Sequence, residues 1–179
     1  MARNFDGIDD NLVASGAPIT AYPFTMACWF NADSATANNC LIALSDGTTN
    51  NQFVLYVQGG EAGDPVQFKA NTDYASTTTG YTVGTWHHAC GVGASATSRT
   101  VYIDGGSSVT RTTSVTPTGL NAFRFGENGA AGDDFDGRLA EGAIWNVALT
   151  AAEVALLAKG VHPFKVRPAN IVAYWPLWG

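Results

Sequence analysis

Charged residues are scarce in this chain. Asp, Glu, Lys and Arg make up 13% of its 179 residues and leave a net charge of −6, whereas soluble domains carry about 25% of these residues. Nucleic acids attract proteins through clusters of Lys and Arg, so we expect no nucleic-acid partner. Apolar residues make up 46%. This length and composition predict a single domain, residues 1–179, with a self-sufficient core.

Long apolar runs and targeting segments are absent as well. No stretch approaches the roughly 20 consecutive apolar residues that cross a bilayer, so we expect no membrane span. The residues from Met1 to Asn4 lead directly into sequence typical of a folded domain, without the apolar segment of a signal peptide. We therefore expect a protein that is made in the cytoplasm and carries no signal peptide.

Cysteine is rare, and its number is odd. Cys28, Cys40 and Cys90 each lie inside an apolar segment. We interpret them as small buried hydrophobic residues in a reducing compartment rather than as disulfide partners. None of them has a setting that would activate a thiol for catalysis.

The residue patterns of common hydrolases are missing. Glycosidases need two neighbouring carboxylates, yet no acid stands at strand spacing from any of the four glutamates, Glu61, Glu127, Glu141 and Glu153, and there is no Gly-x-Ser-x-Gly elbow. His87 and His88 are adjacent on a predicted strand, so their side chains point to opposite faces and cannot serve one site. We expect one of them to be buried and hydrogen-bonded and the other to be exposed. The protein is predicted not to be an enzyme.

The chain is rich instead in short strand patterns. Over residues 24–30, large apolar residues alternate with the intervening positions, as in a strand with one buried face. Residues 86–92 and 99–104 predict a hairpin, and the turn at 104–106 then reverses the chain. Residues 74–80 are rich in Thr and fit either a polar edge strand or a loop. At least ten such patterns predict an all-β fold, an antiparallel β-sandwich.

One short helix is predicted near the C-terminus. Thr150 is an N-cap and Glu153 stands three residues later, so together they form a capping box. Leu149 and Val154 form a hydrophobic staple across this cap, and Gly160 ends the helix. Because a strand pattern leads directly into the helix, we predict that the helix covers the sandwich as a lid.

Four blocks of the chain resemble the successive blocks of laminin-G-like jelly rolls in the concanavalin A-like lectin/glucanase superfamily. They are FDGIDD (5–10), FTMACWFNAD (24–33), GTWHHACGVGASATSRTVYIDG (84–105) and FDGRLAEGAIWNVALTAAEVALL (135–157). The blocks occur in the family's order and span nearly the whole chain. The resemblance implies two curved antiparallel sheets, one convex and one concave. It also implies a mostly non-catalytic module that binds glycans or proteins, in some members through calcium.

The resemblance further suggests a setting. Similar modules without signal peptides occur in virion proteins of tailed phages. The main expectation is therefore a non-catalytic structural and interaction module, a phage decoration or attachment protein that is located in the virion and contacts other virion proteins. Homo-oligomer formation would be compatible with that role. The alternative expectation is a lectin-like module that recognises carbohydrate on the host surface.

The lectin-like alternative would use tryptophan side chains as stacking surfaces for a sugar. Of five tryptophans, Trp29 and Trp145 lie on predicted strands where alternate residues can face the concave side and stack on a sugar. Large aromatic residues on strands are also typical of core packing. A sugar site needs convergent amides and carboxylates in addition, and the sequence reveals no such constellation. Both interpretations stay open at this point.

Basic residues concentrate after the predicted helix. Residues 161–168 include two prolines, so this segment is stiff and loses little entropy on docking. It also places Phe164 and Val166 between positive charges. One interpretation is that the segment only returns the chain to its last strand. Our hypothesis is a partner-binding surface formed by Lys159, His162, Phe164, Lys165 and Arg167.

Two acidic clusters raise the question of calcium. They comprise Asp6, Asp9 and Asp10, and Asp133, Asp134 and Asp136. Calcium needs six to eight oxygen ligands, which two loops could supply together. Asp is also common in turns, and Ala140 stands where the family often has an acid. We therefore predict no metal ion and no cofactor.

Removal of divalent cations is expected to leave the protein equally stable. A chelator should shift the melting temperature by no more than about one or two degrees, because only an occupied site adds stability by mass action. Thermal denaturation with EDTA measures this, and a sample with calcium restored is the control. A large calcium-dependent rise would contradict the prediction and identify Asp6, Asp9, Asp134 and Asp136 as ligands.

Overall fold

A computed structural model describes residues 2–36 and 38–178 of the chain. These residues form two antiparallel sheets packed face to face, which confirms the predicted β-sandwich. Within the same ranges the helical structure is one α-helix and one short 3₁₀ helix. Neither has the length and hydropathy that a membrane-spanning helix requires.

The strands are numbered along the chain. They are β1 (Arg3–Asp6), β2 (Leu12–Ser15), β3 (Phe24–Ala32), β4 (Asn38–Ser45), β5 (Gln52–Gln58), β6 (Pro65–Ala70), β7 (Asp73–Gly80), β8 (His87–Ser95), β9 (Ser98–Ile103), β10 (Gly106–Arg111), β11 (Ala122–Phe125), β12 (Asp136–Trp145) and β13 (Ile171–Trp175). The α-helix is α1 (Ala151–Ala158), and the 3₁₀ helix spans Pro163–Lys165.

Neighbouring strands are often far apart in sequence, as in a jelly roll. The first sheet has the order β1-β12-β3-β8-β9-β10, and β13 also pairs with β12. The second sheet has the order β2-β11-β4-β5-β6-β7. β12 therefore pairs with three strands: β3 lies along one side, while β1 and β13 share the other.

Aromatic side chains fill the space between the two sheets. The Phe24 ring of β3 has its centroid 4.6 Å from that of Phe53 on β5 and 5.9 Å from that of Phe68 on β6. Trp175 of β13 stacks on Phe123 of β11 with 4.2 Å between the centroids, so the core is closed at this side of the sandwich. Alternate positions of each strand point into this core, as the period-two patterns predict.

A second apolar cluster lies on the outer face of the first sheet, which is the face turned away from the second sheet. Helix α1 covers part of this face with buried Val154 and Leu157, which pack with residues of β3, β8 and β12. The Trp145 indole Nε1 donates to the Val166 backbone oxygen at 2.8 Å and so ties β12 to the segment after the helix. The predicted lid is therefore present.

This lid corrects the expectation of a single buried face for residues 24–30. Every residue of that range except Trp29 is buried. The inner-facing residues pack in the sandwich core, while outer-facing residues such as Ala27 lie in the cluster that α1 covers. The alternation of residues was interpreted correctly, but the helix hides the second face.

The predicted capping box and terminal glycine are present, and Leu149 and Val154 of the predicted staple lie in the same apolar cluster. The Thr150 side chain accepts from the Glu153 amide, and a Glu153 carboxylate oxygen accepts from the Thr150 amide at 2.8 Å. Gly160 has φ +82°, the left-handed conformation expected after a helix. Gly105, in the turn between β9 and β10, lets that turn pack closely against α1, because a Cβ there would lie 2.8 Å from the Cα of Ala155.

Several predicted strand limits change. Residues 74–80, whose sequence fits either a strand or a loop, belong to strand β7. The hairpin predicted from 86–92 and 99–104 pairs further toward its tip, as far as Ser95 opposite Ser98, so its turn is shorter than expected.

The three cysteines are buried free thiols, as predicted. Burial raises the pKa of the Cys28 and Cys90 thiols, so neither is an activated nucleophile.

Helix docking can be tested by two truncations on the same helix. Leu157→Ala should lower the free energy of unfolding by about 2–4 kcal/mol because it opens a cavity beneath α1. Thr150→Ala should cost about 1 kcal/mol through loss of the cap. Leu156→Ala is the matched control, since Leu156 is exposed and surface changes typically stay within about 0.5 kcal/mol. Equal urea midpoints for the Leu157 and Leu156 variants would show that the helix is not docked.

Candidate functional site

A β-bulge in β12 shapes the outer face of the first sheet. Ala140 pairs with Trp29 of β3 and Ala143 pairs with Ala27, so Glu141 and Gly142 together oppose a single residue. Glu141 has φ +53°, and both Ala140 and Glu141 border recesses of the outer face. A bulge is a common way to re-aim a side chain beside a site.

Glycine is required directly after Glu141. A Cβ at Gly142 would lie 2.3 Å from the ring of Phe125, which fills the sandwich core at this point. Glu141 thus places its side chain on the outer face, while Gly142, which has no side chain, leaves room for the Phe125 ring in the core. A lone glycine inside a strand pattern is the sequence signal for such a bulge.

The first recess is a half-enclosed cavity of about 250 Å³, called here the His88 cavity. Its floor is the outer face of β3, β8 and β12, and its far wall is the end of α1 with the segment that follows. The lining residues are Ala27, Trp29, His88, Glu141, Trp145, Leu157, Gly160, Val161, His162 and Pro163. The cavity is mainly apolar and contains one carboxylate and two imidazoles.

The second recess is an open depression of about 540 Å³, called here the Trp86 depression. It is lined by Ala2, Trp29, Trp86, Arg138 and Ala140. The Trp86 side chain is 39% exposed. Trp29 borders both recesses, so the two adjoin at its side chain and are together called the strip. The small Ala140 side chain, directly opposite Trp29, leaves the indole uncovered.

A chain of hydrogen bonds holds the Glu141 carboxylate. His162 Nδ1 accepts from the Phe164 amide at 3.3 Å, so its other nitrogen, Nε2, carries the proton and donates to the Tyr174 oxygen at 3.1 Å. The Tyr174 hydroxyl in turn donates to Glu141 Oε2 at 2.7 Å. Burial and the neighbouring carboxylate raise the pKa of the Tyr174 phenol, so it stays a donor at neutral pH.

His88 is the buried polar group of the cavity. Its side chain is 2% exposed, and its Nδ1 has no hydrogen-bond partner among the described residues. The ring meets the Trp29 indole edge to face, with 5.5 Å between centroids. Burial lowers the pKa of His88 to about 4, so the imidazole is neutral at pH 7.

The histidine pair differs in part from the prediction. The two side chains do point to opposite faces, as expected: His87 lies against Phe30 of the sandwich core and His88 against Trp29. The expected division of roles was wrong, because it is the less buried His87 that is hydrogen-bonded. Its ring pairs with Asp104 at 2.7 Å and accepts from the Thr82 amide at 2.9 Å, while His88 is fully buried without such a partner at Nδ1.

The predicted partner-binding residues do not form one uniform surface. His162 lines the His88 cavity, and Phe164, 49% exposed, stacks on His162 with 5.6 Å between centroids. Lys159 and Lys165 are exposed. Arg167 forms an ion pair with Glu153 and so helps to anchor α1. The role of these five residues in partner binding stays a prediction.

Val166 and Trp145 lie in the interior. Val166 was expected to contribute to an exposed apolar contact, but it is buried beneath α1. This expectation is wrong because the Val166 backbone receives the Trp145 hydrogen bond and draws the residue inward. Of the two tryptophans predicted as sugar platforms, Trp145 is core, and only the half-buried Trp29 borders open space.

The two acidic clusters meet at one rim of the sandwich. Asp6, Asp133, Asp134 and Asp136 line a common depression there. Asp6 Oδ1 accepts from the amides of Ile8, Asp9 and Asp10, and these backbone bonds lower its pKa. Asp133 Oδ2 accepts from the Tyr56 hydroxyl. Across residues 2–36 and 38–178, no three acids, histidines or cysteines converge as metal ligands, and the absence of a metal stays a prediction.

Sequence reasoning missed most of the strip. No sequence pattern points to Trp86, Arg138 or Tyr174, and Glu141 stands out in the sequence only as an acid without a neighbouring catalytic partner. The one available signal was the glycine at 142 inside a strand pattern, which indicates a bulge. Trp86 lies in a loop, and no strand period locates a loop side chain.

Solved structures with the same fold include sugar-binding domains. Domain 4 of the arabinanase AbnA from Geobacillus stearothermophilus, in complex with arabinotriose, has a TM-score of 0.69 and 20% identity over 88% of this chain and 76% of that one. The CBM40 of Ruminococcus gnavus IT-sialidase, bound to α2,3-sialyllactose, has a TM-score of 0.64 and 12% identity over 82% of this chain and 98% of that one.

A laminin structure shares the fold as well. The mouse laminin α1 chain domains LG4-5 have a TM-score of 0.60 and 17% identity, over 80% of this chain and 40% of that one. No curated protein sequence matches the chain significantly. The model of the Laminin_G_3 family matches residues 6–155, most of the sandwich and all but the last three residues of α1. The chain belongs to the laminin G-like domains of the concanavalin A-like lectin/glucanase superfamily.

Proposed function

We propose that this domain is a non-catalytic module that binds glycan on the outer face of its first sheet. The observation that carries the proposal is the strip formed by the His88 cavity and the Trp86 depression, which share Trp29. Sugar rings stack their apolar faces on aromatic side chains, and their hydroxyls need a few well-placed polar groups. Trp29 and Trp86 supply the first requirement, while Glu141 and His88 supply the second.

The solved structures support a sugar as the ligand class. The structure of the arabinanase domain is a complex with arabinotriose, and the structure of the R. gnavus module contains bound α2,3-sialyllactose. Because both are at most 20% identical to this chain, their ligands indicate what the fold can accommodate and do not identify the glycan bound here.

The residues of the strip support binding without hydrolysis. Glycosidases place two carboxylates on either side of the scissile bond. Glu141 is the one carboxylate among the described residues that line the two recesses. Its hydrogen bond from Tyr174 keeps it in place as an acceptor.

A second candidate function is protein attachment through residues 161–168, with a phage particle as the narrower hypothesis. The exposed Phe164 ring, supported by His162 and Tyr174, favours a contact surface there. None of the relatives described above is named as a virion protein, so glycan binding is the better supported function. A test of this second function should change Lys165 and leave Arg167 intact, because Arg167 pairs with Glu153.

Glycan binding can be tested with two tryptophan variants. The wild-type domain should bind members of a glycan array, and isothermal titration with the glycans found there should give the affinities. Trp29→Ala and Trp86→Ala should each weaken binding by about tenfold or more, since loss of a central aromatic anchor typically costs about 2 kcal/mol. The loss follows from removal of a stacking surface.

Tyr74→Ala is the matched control for these variants. Tyr74 is an exposed aromatic residue on β7 of the second sheet, so its removal should leave the affinity unchanged. Circular dichroism melting curves verify that every variant is folded. The proposal fails if the wild-type domain binds no glycan, or if binding persists unchanged in both tryptophan variants.

A further inference from the structure

We infer that the His88 cavity receives the terminal residue of an uncharged glycan chain, whose hydroxyls donate to the Glu141 carboxylate while the preceding residues lie over Trp29 in the Trp86 depression. This inference rests on the proposed function and adds to it the chemical class of the sugar and the direction in which the chain is bound.

The shapes of the two recesses indicate that the His88 cavity binds the end of a glycan chain. The cavity, at about 250 Å³, is smaller than the roughly 300–1,000 Å³ of pockets that enclose drug-sized ligands. It therefore has room for about one sugar residue. Leu157, Gly160 and Pro163 form part of the cavity wall and do not border the depression. We therefore expect a chain that enters past Trp29 to place its terminal residue against this wall.

The Glu141 carboxylate makes the cavity an acceptor site. Oε2 already accepts from Tyr174, and the hydrogen bonds of the described residues leave Oε1 available. An ionised carboxylate only accepts hydrogen bonds, so it complements sugar hydroxyls, which can donate. Two neighbouring hydroxyls of one ring can meet one carboxylate group in this way.

His88 adds a neutral group with unused hydrogen-bonding capacity. Its Nδ1 is buried without a partner in the described part of the chain, and buried polar groups normally have one. A neutral imidazole carries one donor and one acceptor nitrogen. His88 lines the cavity, and a sugar hydroxyl complements either kind of ring nitrogen because it both donates and accepts.

The charge of the cavity disfavours acidic sugars. Glu141 is negative, the lowered pKa of His88 keeps that ring neutral at pH 7, and no Lys or Arg is among the described residues that line the cavity. The carboxylate of a sialic or uronic acid would meet the Glu141 carboxylate without a compensating cation, and such like-charge contacts are strongly unfavourable. Arg138, the basic residue of the strip, lies in the depression instead.

The test compares matched glycans that differ only at the chain end. Binding is measured on an array that pairs chains of equal length, one ending in a neutral hexose and the other in the corresponding uronic acid, so that the two members differ only in the charge of the terminal residue. The wild-type domain should bind the neutral member of a recognised pair about tenfold or more tightly. It should also lose binding when the terminal residue is extended by a further sugar.

Glu141→Gln tests the acceptor directly. The amide keeps the shape of the side chain but removes its charge, so affinity for neutral glycans should fall about tenfold and the discrimination against acidic ends should disappear. Glu61→Gln is the matched control, because Glu61 is an exposed residue between β5 and β6 of the second sheet. Unchanged urea midpoints verify that both variants are folded.

The outcomes separate this inference from the proposed function. A preference for acidic chain ends, equal binding of extended chains, or an affinity of Glu141→Gln within twofold of the wild type would overturn the inference. If the tryptophan variants still lose binding in those cases, the proposed function stands. A wild-type domain that binds no glycan would contradict both the inference and the proposed function.

Discussion

The pairing of β12 with β1, β3 and β13 is the constraint on which the rest of the structure depends. Backbone hydrogen bonds on both sides leave β12 no freedom to slide, and a shift by one residue would exchange its inner and outer side chains. The bulge at Glu141 and Gly142 breaks this alternation once. It lets Leu139 and Ile144 both reach the sandwich core while Ala140 and Glu141 face outward.

Strand β12 also determines where helix α1 lies on the outer face. β12 ends at Trp145, and its continuation is fixed by Thr25 of β3, whose hydroxyl donates to the Val147 carbonyl at 2.8 Å and accepts from the Leu149 amide at 3.0 Å. This clamp directs α1 back over the sheet. The helix covers the apolar half of the outer face and stops short of Trp29, so a cavity remains at its edge.

The strip contains features that cost stability locally. A non-glycine residue in the left-handed region, such as Glu141 with φ +53°, typically costs about 1–3 kcal/mol. A buried unpaired polar group such as His88 Nδ1 costs about 1–3 kcal/mol as well. Two such costs lie within one cavity, and the surrounding strand pairing holds both in place. Conflicts of this kind between local preference and global fold concentrate at functional sites.

The sequence alone determined the sandwich, the capped helix and the family, because period-two alternation, the capping box and the ordered blocks are local patterns. The site was decided by tertiary structure. Trp29 and Trp145 have the same strand signature, yet only the position of α1 leaves one beside open space and buries the other. Glu141, Tyr174 and His162 are brought together by strand pairing and a loop, and no spacing in the sequence encodes that contact.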